Sequence, residues 1–213
     1  MCLILVACQA HEQWPLVVLG NRDEFYNRPT AQLGPWPGKP DTLAGRDLRS
    51  GGSWMGVHRD GRWAAVTNFR ESPAGRPATK SRGWLVRDYL LGSCSGRSYL
   101  DRIAAGIGEY AGFNLLVGDR QYLWHLSNRE PGVRRLAAGF YGLSNGFFQA
   151  DWPKICMGKE KLAGFLRHPN WEPSAALDLM MDTHRAPDEQ LPATGVPLEW
   201  ERALSAMFII TPD

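Results

Sequence analysis

The chain opens Met1-Cys2-Leu3-Ile4-Leu5-Val6-Ala7-Cys8, and this run constrains the fold more than any other segment. Residues 2–8, seven without a charge and rich in branched aliphatics, read as a strand buried on both faces. With Met1 removed, Cys2 carries a thiol and a free α-amino group at the tip of that strand. An α-amine has a reference pKa of roughly 7.7–8.0, so it can take the thiol proton near neutral pH, the layout of an N-terminal nucleophile. The competing reading is structural, because an unpaired Cys is among the most buried residue types. Leu5-Val6-Ala7-Cys8 has the look of a lipoprotein cleavage box, but no basic segment precedes it and the apolar run is short, so it is read as strand.

The rest of the composition removes function classes. The 213 residues suffice for one domain with a full core, and the net charge of +2 argues for no nucleic-acid partner. No stretch approaches the ~20 apolar residues of a membrane span, and a cytoplasmic location is expected. Cys2, Cys8, Cys94 and Cys156 form no CxxC pair, and neither a zinc site nor any other metal site is expected. No phosphate loop or GxGxxG is present.

A second short strand is expected at Leu16–Leu19, making a hairpin with the first. Residues 28–52, carrying Pro29, Pro35, Pro37 and Pro40, read as a long loop, and 70–82 as another. Hairpins are expected at 53–58 with 62–68 and at 113–117 with 122–126. Short strands are expected at 133–136, 140–143 and 206–210, and helices at 84–91, 99–110, 152–166 and 174–181. Asp151 is the expected N-cap of the third helix, with Pro153 in its first turn. Grouped strands and grouped helices imply an α+β layered fold.

A nucleophilic Cys needs a base, a group that holds its amine, and oxyanion donors. Asn21-Arg22-Asp23-Glu24 follows the second strand, and a hairpin would bring it beside Cys2. A carboxylate there could hold the ammonium and Arg22 could lower the thiol pKa; a solvated charged turn is the alternative. Asn68 and Asn145 each follow a strand and could donate to an oxyanion, although Asn145-Gly146 is also a turn signal. Trp54 lies among the tryptophans of the first half, which suit an apolar cleft. His58 and His125 are the candidates if haem is bound through imidazole.

Met1-Cys2 with Asn21-Arg22-Asp23-Glu24 resembles the NRDE family, also called the transport and Golgi organisation protein 2 family. Gly51-Gly52-Ser53-Trp54-Met55-Gly56-Val57, Thr67-Asn68-Phe69-Arg70, Ser81-Arg82-Gly83, Gly112-Phe113-Asn114-Leu115-Leu116, Leu143-Ser144-Asn145 and Trp152-Pro153-Lys154 are similar to its pattern in the same order. The resemblance implies an N-terminal-nucleophile-hydrolase-like fold, a four-layer αββα sandwich similar to penicillin V acylases and bile salt hydrolases, with one NRDE domain over residues 1–213. It makes Cys2 the nucleophile and Asn21, Arg22, Asp23 and Glu24 the polar cluster around it. Asn68, through its backbone N–H, and Asn145, through its side-chain amide, become the oxyanion donors. The family pattern continues with further C-terminal strands and an arginine that this sequence, ending at Asp213, does not reach. The family's association with haem trafficking and acyl or lipid homeostasis implies, first, a carrier of haem or an acyl ligand that requires no cofactor. The alternative is a cysteine amidohydrolase that cleaves a non-peptide C–N bond through an acyl-Cys2 intermediate. In either case the partner is a small molecule.

Overall fold

A computed structural model describes residues 2–71, 78–168 and 171–211. The described elements are, in chain order, β1 (Cys2–Cys8), β2 (Leu16–Arg22), β3 (Thr30–Trp36), β4 (Lys39–Asp47), β5 (Met55–His58), β6 (Trp63–Asn68), α1 (Gly83–Leu91), α2 (Gly96–Ala105), β7 (Phe113–Gly118), β8 (Leu123–Ser127), β9 (Arg134–Leu136), β10 (Gly139–Leu143), α3 (Pro153–Leu166), α4 (Ala175–Met180) and α5 (Leu198–Leu204). They form two compact units. The first joins Met1–Asp23, Arg70–Ala74 and Ala137–Asp213; the second joins Glu24–Phe69 and Gly75–Leu136.

In the first unit, β1 is the central strand of a three-stranded antiparallel sheet ordered β10-β1-β2. All seven of its residues are buried, as an uninterrupted apolar run requires. Side chains alternate across a strand, so Leu3, Leu5 and Ala7 share one face, where they meet Ile155 and Leu162 of α3 together with Met180 and Met207. Close approach of helix to sheet depends on two glycines without φ strain. A Cβ on Gly158 would stand 2.8 Å from Leu5 Cδ2, and one on Gly142 2.6 Å from Ile155 Cγ2.

In the second unit, seven strands run in the order β3-β4-β5-β6-β7-β8-β9. Helices α1 and α2 cover one face, with Leu85, Tyr89 and Leu100 packed on Val66, Leu115 and Val117. The buried phenol of Tyr89 donates to Gly118 O at 3.0 Å, and that of Tyr99 to Leu85 O at 2.7 Å. Both polar tips are therefore satisfied.

Four local expectations are corrected. Residues 28–52 are largely the ribbon β3–β4 rather than a loop. Most of β3 is exposed, so it lacks the apolar alternation that betrays a strand, and it lies at the sheet edge, where Pro35 is tolerated. The pairing shifts register at Ala31/Gly34 and Pro35/Trp36. Residues 206–210 form no strand; Met207 is nevertheless buried, and Phe208 N–H donates to Asp182 O at 2.8 Å. A short helix, α5, precedes them. Trp152, not Asp151, caps α3, with no side-chain hydrogen bond and with Pro153 as its first residue. Helix α2 spans Gly96–Ala105 rather than 99–110: the Ser95 hydroxyl accepts from Ser98 N–H at 3.3 Å at its start, and Gly106 caps its end. The expected 70–82 loop falls partly on 72–77, which lies outside the described residues.

Candidate active site around Cys2

The hairpin register decides what surrounds Cys2. Antiparallel pairing sets Cys2 opposite Arg22 and Leu3 opposite Asn21. Directly opposed residues share a face, so Arg22 lies on the Cys2 face of the sheet and Asn21 on the helix face. Asn21 is an anchor there: its Nδ2 donates to Met180 O and to Met207 O, each at 2.8 Å. It ties the end of α4 and the segment after α5 to the second strand.

On the other side of β1, Leu143 pairs with Ile4, and the chain beyond β10 continues alongside Cys2. Ser144 Oγ donates to Cys2 O at 2.8 Å, and the Cys2 nitrogen donates to Asn145 Oδ1 at 3.2 Å. Cys2, Ser144 and Asn145 are all buried. Asn145 is itself held, because Arg70 N–H donates to its carbonyl at 2.6 Å. Of the tetrad, strand register sets Arg22 opposite Cys2 and turns Asn21 away to the helix face, and it is Asn145, not a tetrad carboxylate, that accepts from the Cys2 nitrogen.

Charge in this region is balanced rather than open. Burial pushes the Cys2 thiol up, while the Asp23 backbone N–H and the Arg22 charge act in the opposite direction. Burial also raises Asp23, against the pull of Lys154. Lys154, in the first turn of α3, is only 1% exposed. Burial lowers its pKa to about 8, with Asp23 and Cys2 favouring its charged form and Arg70 disfavouring it. Arg70 and Glu201 form a buried ion pair, Nη1 to Oε2 at 2.6 Å. Lys154, Arg70 and Glu201 were not among the expected site residues. Lys154 shares the buried stripe of α3 with Gly158 and Leu162, a placement that only the packing reveals.

The remaining candidates belong to the second unit. Glu24 ion-pairs with Arg28 at 3.6 Å, and Arg28 with Asp47 at 2.6 Å. Asn68 ends β6, opposite Phe113. Trp54 is half-buried, and its carbonyl accepts from Val66 N–H at 2.8 Å. His58 Nδ1 sits 3.0 Å from Asp60 Oδ1 in the β5–β6 turn. His125 is buried in β8, its Nε2 3.3 Å from Asn114 Oδ1, and burial drives its pKa down to about 3. It is therefore a neutral core imidazole at physiological pH. Among the described residues no group of three or more His, Cys, Asp or Glu is placed to hold a metal, and no helix is long and apolar enough to cross a membrane.

The fold has a counterpart among solved structures. A Caenorhabditis elegans N-acylethanolamine-hydrolyzing acid amidase ortholog superposes with a TM-score of 0.54 at 12% identity, over 84% of this chain and 85% of that one. At that identity the likeness is one of fold, and it gives this chain the N-terminal-nucleophile-hydrolase-like α+β fold that its sequence implied. A transport and Golgi organization protein 2 homolog of Bos taurus is 36% identical over 156 residues, 68% of this chain. The chain spans about half of that relative, 55% of its length. Transport and Golgi organization protein 2 of Drosophila melanogaster is 27% identical over 234 residues, 98% of this chain and 82% of that protein. The family described as Transport and Golgi organisation 2 matches residues 1–213, and this chain belongs to it.

Proposed function

We propose that Cys2 is the nucleophile of an amidohydrolase that cleaves a C–N amide bond of an acyl compound. One observation carries the reading: the Cys2 nitrogen is held by Asn145 Oδ1 while Arg22 stands opposite on the same sheet face. An N-terminal nucleophile needs that grip on its amine and that positive neighbour for its thiol.

The reaction requires Cys2 to be the mature N-terminus. Its amine takes the proton from Sγ, and the thiolate attacks the amide carbonyl carbon. The same amine, now charged, protonates the leaving nitrogen as the C–N bond breaks and acyl-Cys2 remains. Water, deprotonated by the amine, then attacks the thioester and releases the acid. Of the two oxyanion donors implied by the family resemblance, Asn145 belongs to the same unit as Cys2, and its side-chain amide is the donor on which the proposal rests.

A second reading, a carrier of haem or of an acyl ligand without turnover, is favoured by the burial that keeps the Cys2 thiol protonated. It does not draw on His58 or His125, whose ring nitrogens are turned to Asp60 and Asn114.

Intact mass followed by brief iodoacetamide treatment and site mapping tests the first reading, with an N-acyl amide as substrate. Loss of Met1, selective labelling of Cys2 and amine release abolished by Cys2→Ser are expected. An unlabelled Cys2, with a haem Soret shift that survives Cys2→Ala, would replace the hydrolase with the carrier.

A further inference from the structure

The thiol chemistry above uses neither Arg70 nor Lys154, yet both are buried cations with donors left over. Arg70 Nη1 donates to Glu201 Oε2 at 2.6 Å and lies 3.5 Å from Thr194 Oγ1. Glu201 Oε1 in turn accepts from Thr194 N–H at 2.9 Å and from its hydroxyl at 2.5 Å, so that carboxylate is fully engaged. The guanidinium is fixed over Trp152, with Cζ 4.8 Å from the ring centroid. Its other edge, Nε and Nη2, is buried and has no hydrogen-bond partner among the described residues.

Lys154 follows Trp152 by two residues. Its side chain is inside the protein, and Nζ likewise has no hydrogen-bond partner among the described residues. Helix α3 starts here with no acidic side chain in its first turn and no capping side chain. Buried donors without acceptors are rare in native proteins, and each calls for a partner or a role. Lys154 interacts electrostatically with both Arg70 and Cys2, and the Arg70 backbone N–H holds the Asn145 carbonyl while Asn145 Oδ1 holds the Cys2 nitrogen.

We propose that the Nε–Nη2 edge of Arg70 and the Lys154 ammonium form a carboxylate-binding site next to Cys2. The side-on edge of a guanidinium presents two parallel donors at the spacing of two carboxylate oxygens, and an ammonium adds a third donor as a point charge. Arg70 already faces Glu201 and Lys154 already faces Asp23, so any anion adds net negative charge here, and a monoanion adds less than a dianionic phosphate. A planar monoanion completes its hydrogen bonds. The ligand of this chain accordingly carries a free carboxylate, whether or not Cys2 turns it over.

Calorimetric titration of the full chain at constant ionic strength tests this with three probes: hexanoate, its uncharged counterpart hexanamide, and inorganic phosphate. Hexanoate is expected to bind saturably at one site, with hexanamide and phosphate at least about tenfold weaker, the cost of a lost charge-assisted hydrogen bond. Lys154→Met and Arg70→Lys, the latter keeping a cation for Glu201 but removing the two-donor edge, should each weaken hexanoate by a similar factor. Absence of saturable hexanoate binding, equal binding of hexanamide or phosphate, or undiminished binding by Lys154→Met would overturn the assignment. If Arg70→Lys loses its far-UV circular dichroism, the three-probe comparison and Lys154→Met decide alone.

Discussion

Lys154 should make the protein less stable at neutral pH than it needs to be. Its folded pKa is about 8 against an ordinary value of 10.5, because burial disfavours the ammonium. A tenfold change in proton affinity is worth roughly 1.4 kcal/mol, so the buried charge costs about 3 kcal/mol. The sign follows from proton counting: between about pH 8 and 10.5 the unfolded chain holds a proton on this lysine that the folded chain has released, so stability rises with pH across that window. The cost is fully present below pH 8 and gone above the unfolded pKa. Lys154→Met removes the titration while preserving length and apolar volume. Urea unfolding of both proteins in a Cys2→Ser background, at half-unit steps from pH 7 to 10.5, followed by tryptophan fluorescence, isolates this one group, because the coupled thiol is gone and the tyrosines and the other lysines titrate in both. The unfolding free energy with Lys154 in place minus that of Lys154→Met should climb by about 3 kcal/mol over the series. Parallel curves would mean that Lys154 keeps an ordinary pKa, and that its ammonium is not buried without acceptors.

Two substitutions test packing, one in each unit. Gly52→Ala would put a Cβ 2.5 Å from Gly83 C and 2.7 Å from Gly83 O; backbone cannot step aside as a side chain can, so calorimetry should show a loss of about 3 kcal/mol, and an unchanged Tm would refute the contact. Asn21→Ala strands the carbonyls of Met180 and Met207 and should cost about 2 kcal/mol in urea unfolding, whereas a cost near zero would show that the two carbonyls find other donors.

The N-terminal half of the site could be read from sequence because its logic is local. An apolar run, a short turn and a second strand set Cys2 opposite Arg22 once the antiparallel register is drawn, and only the length of β2, three residues beyond Leu19, was underestimated. Asn145 was also within reach, since it follows a strand by two residues. Lys154 was not, because a lysine on a helix is ordinarily solvated, and nothing short of the packing shows that its stripe faces β1. The ribbon β3–β4 was hidden for the opposite reason: an exposed edge has no apolar period to detect, and its prolines mimic a loop. The last segment, 206–210, has the composition of a strand but is captured by side chains, with Asn21 claiming the Met207 carbonyl that a strand would have given to a neighbour.

The order of synthesis gives the three-stranded sheet a problem that its finished form conceals. Strands β1 and β2 leave the ribosome first, yet β10, which completes β1's pairing, and α3, which covers its aliphatic face, arrive only after the whole of the second unit has been made. At about 5–20 residues per second, the delay is on the order of ten seconds. For that interval a seven-residue aliphatic strand waits as half of a bare hairpin, with an unpaired edge and a free thiol at its tip. The second unit can close before the first, so the hydrogen bonds around Cys2 are among the last to form. A nascent chain stalled before residue 139 should therefore display Cys2 to alkylating reagents and its aliphatic strand to chaperones, and reactivity of that thiol would serve as a clock for completion of the sheet.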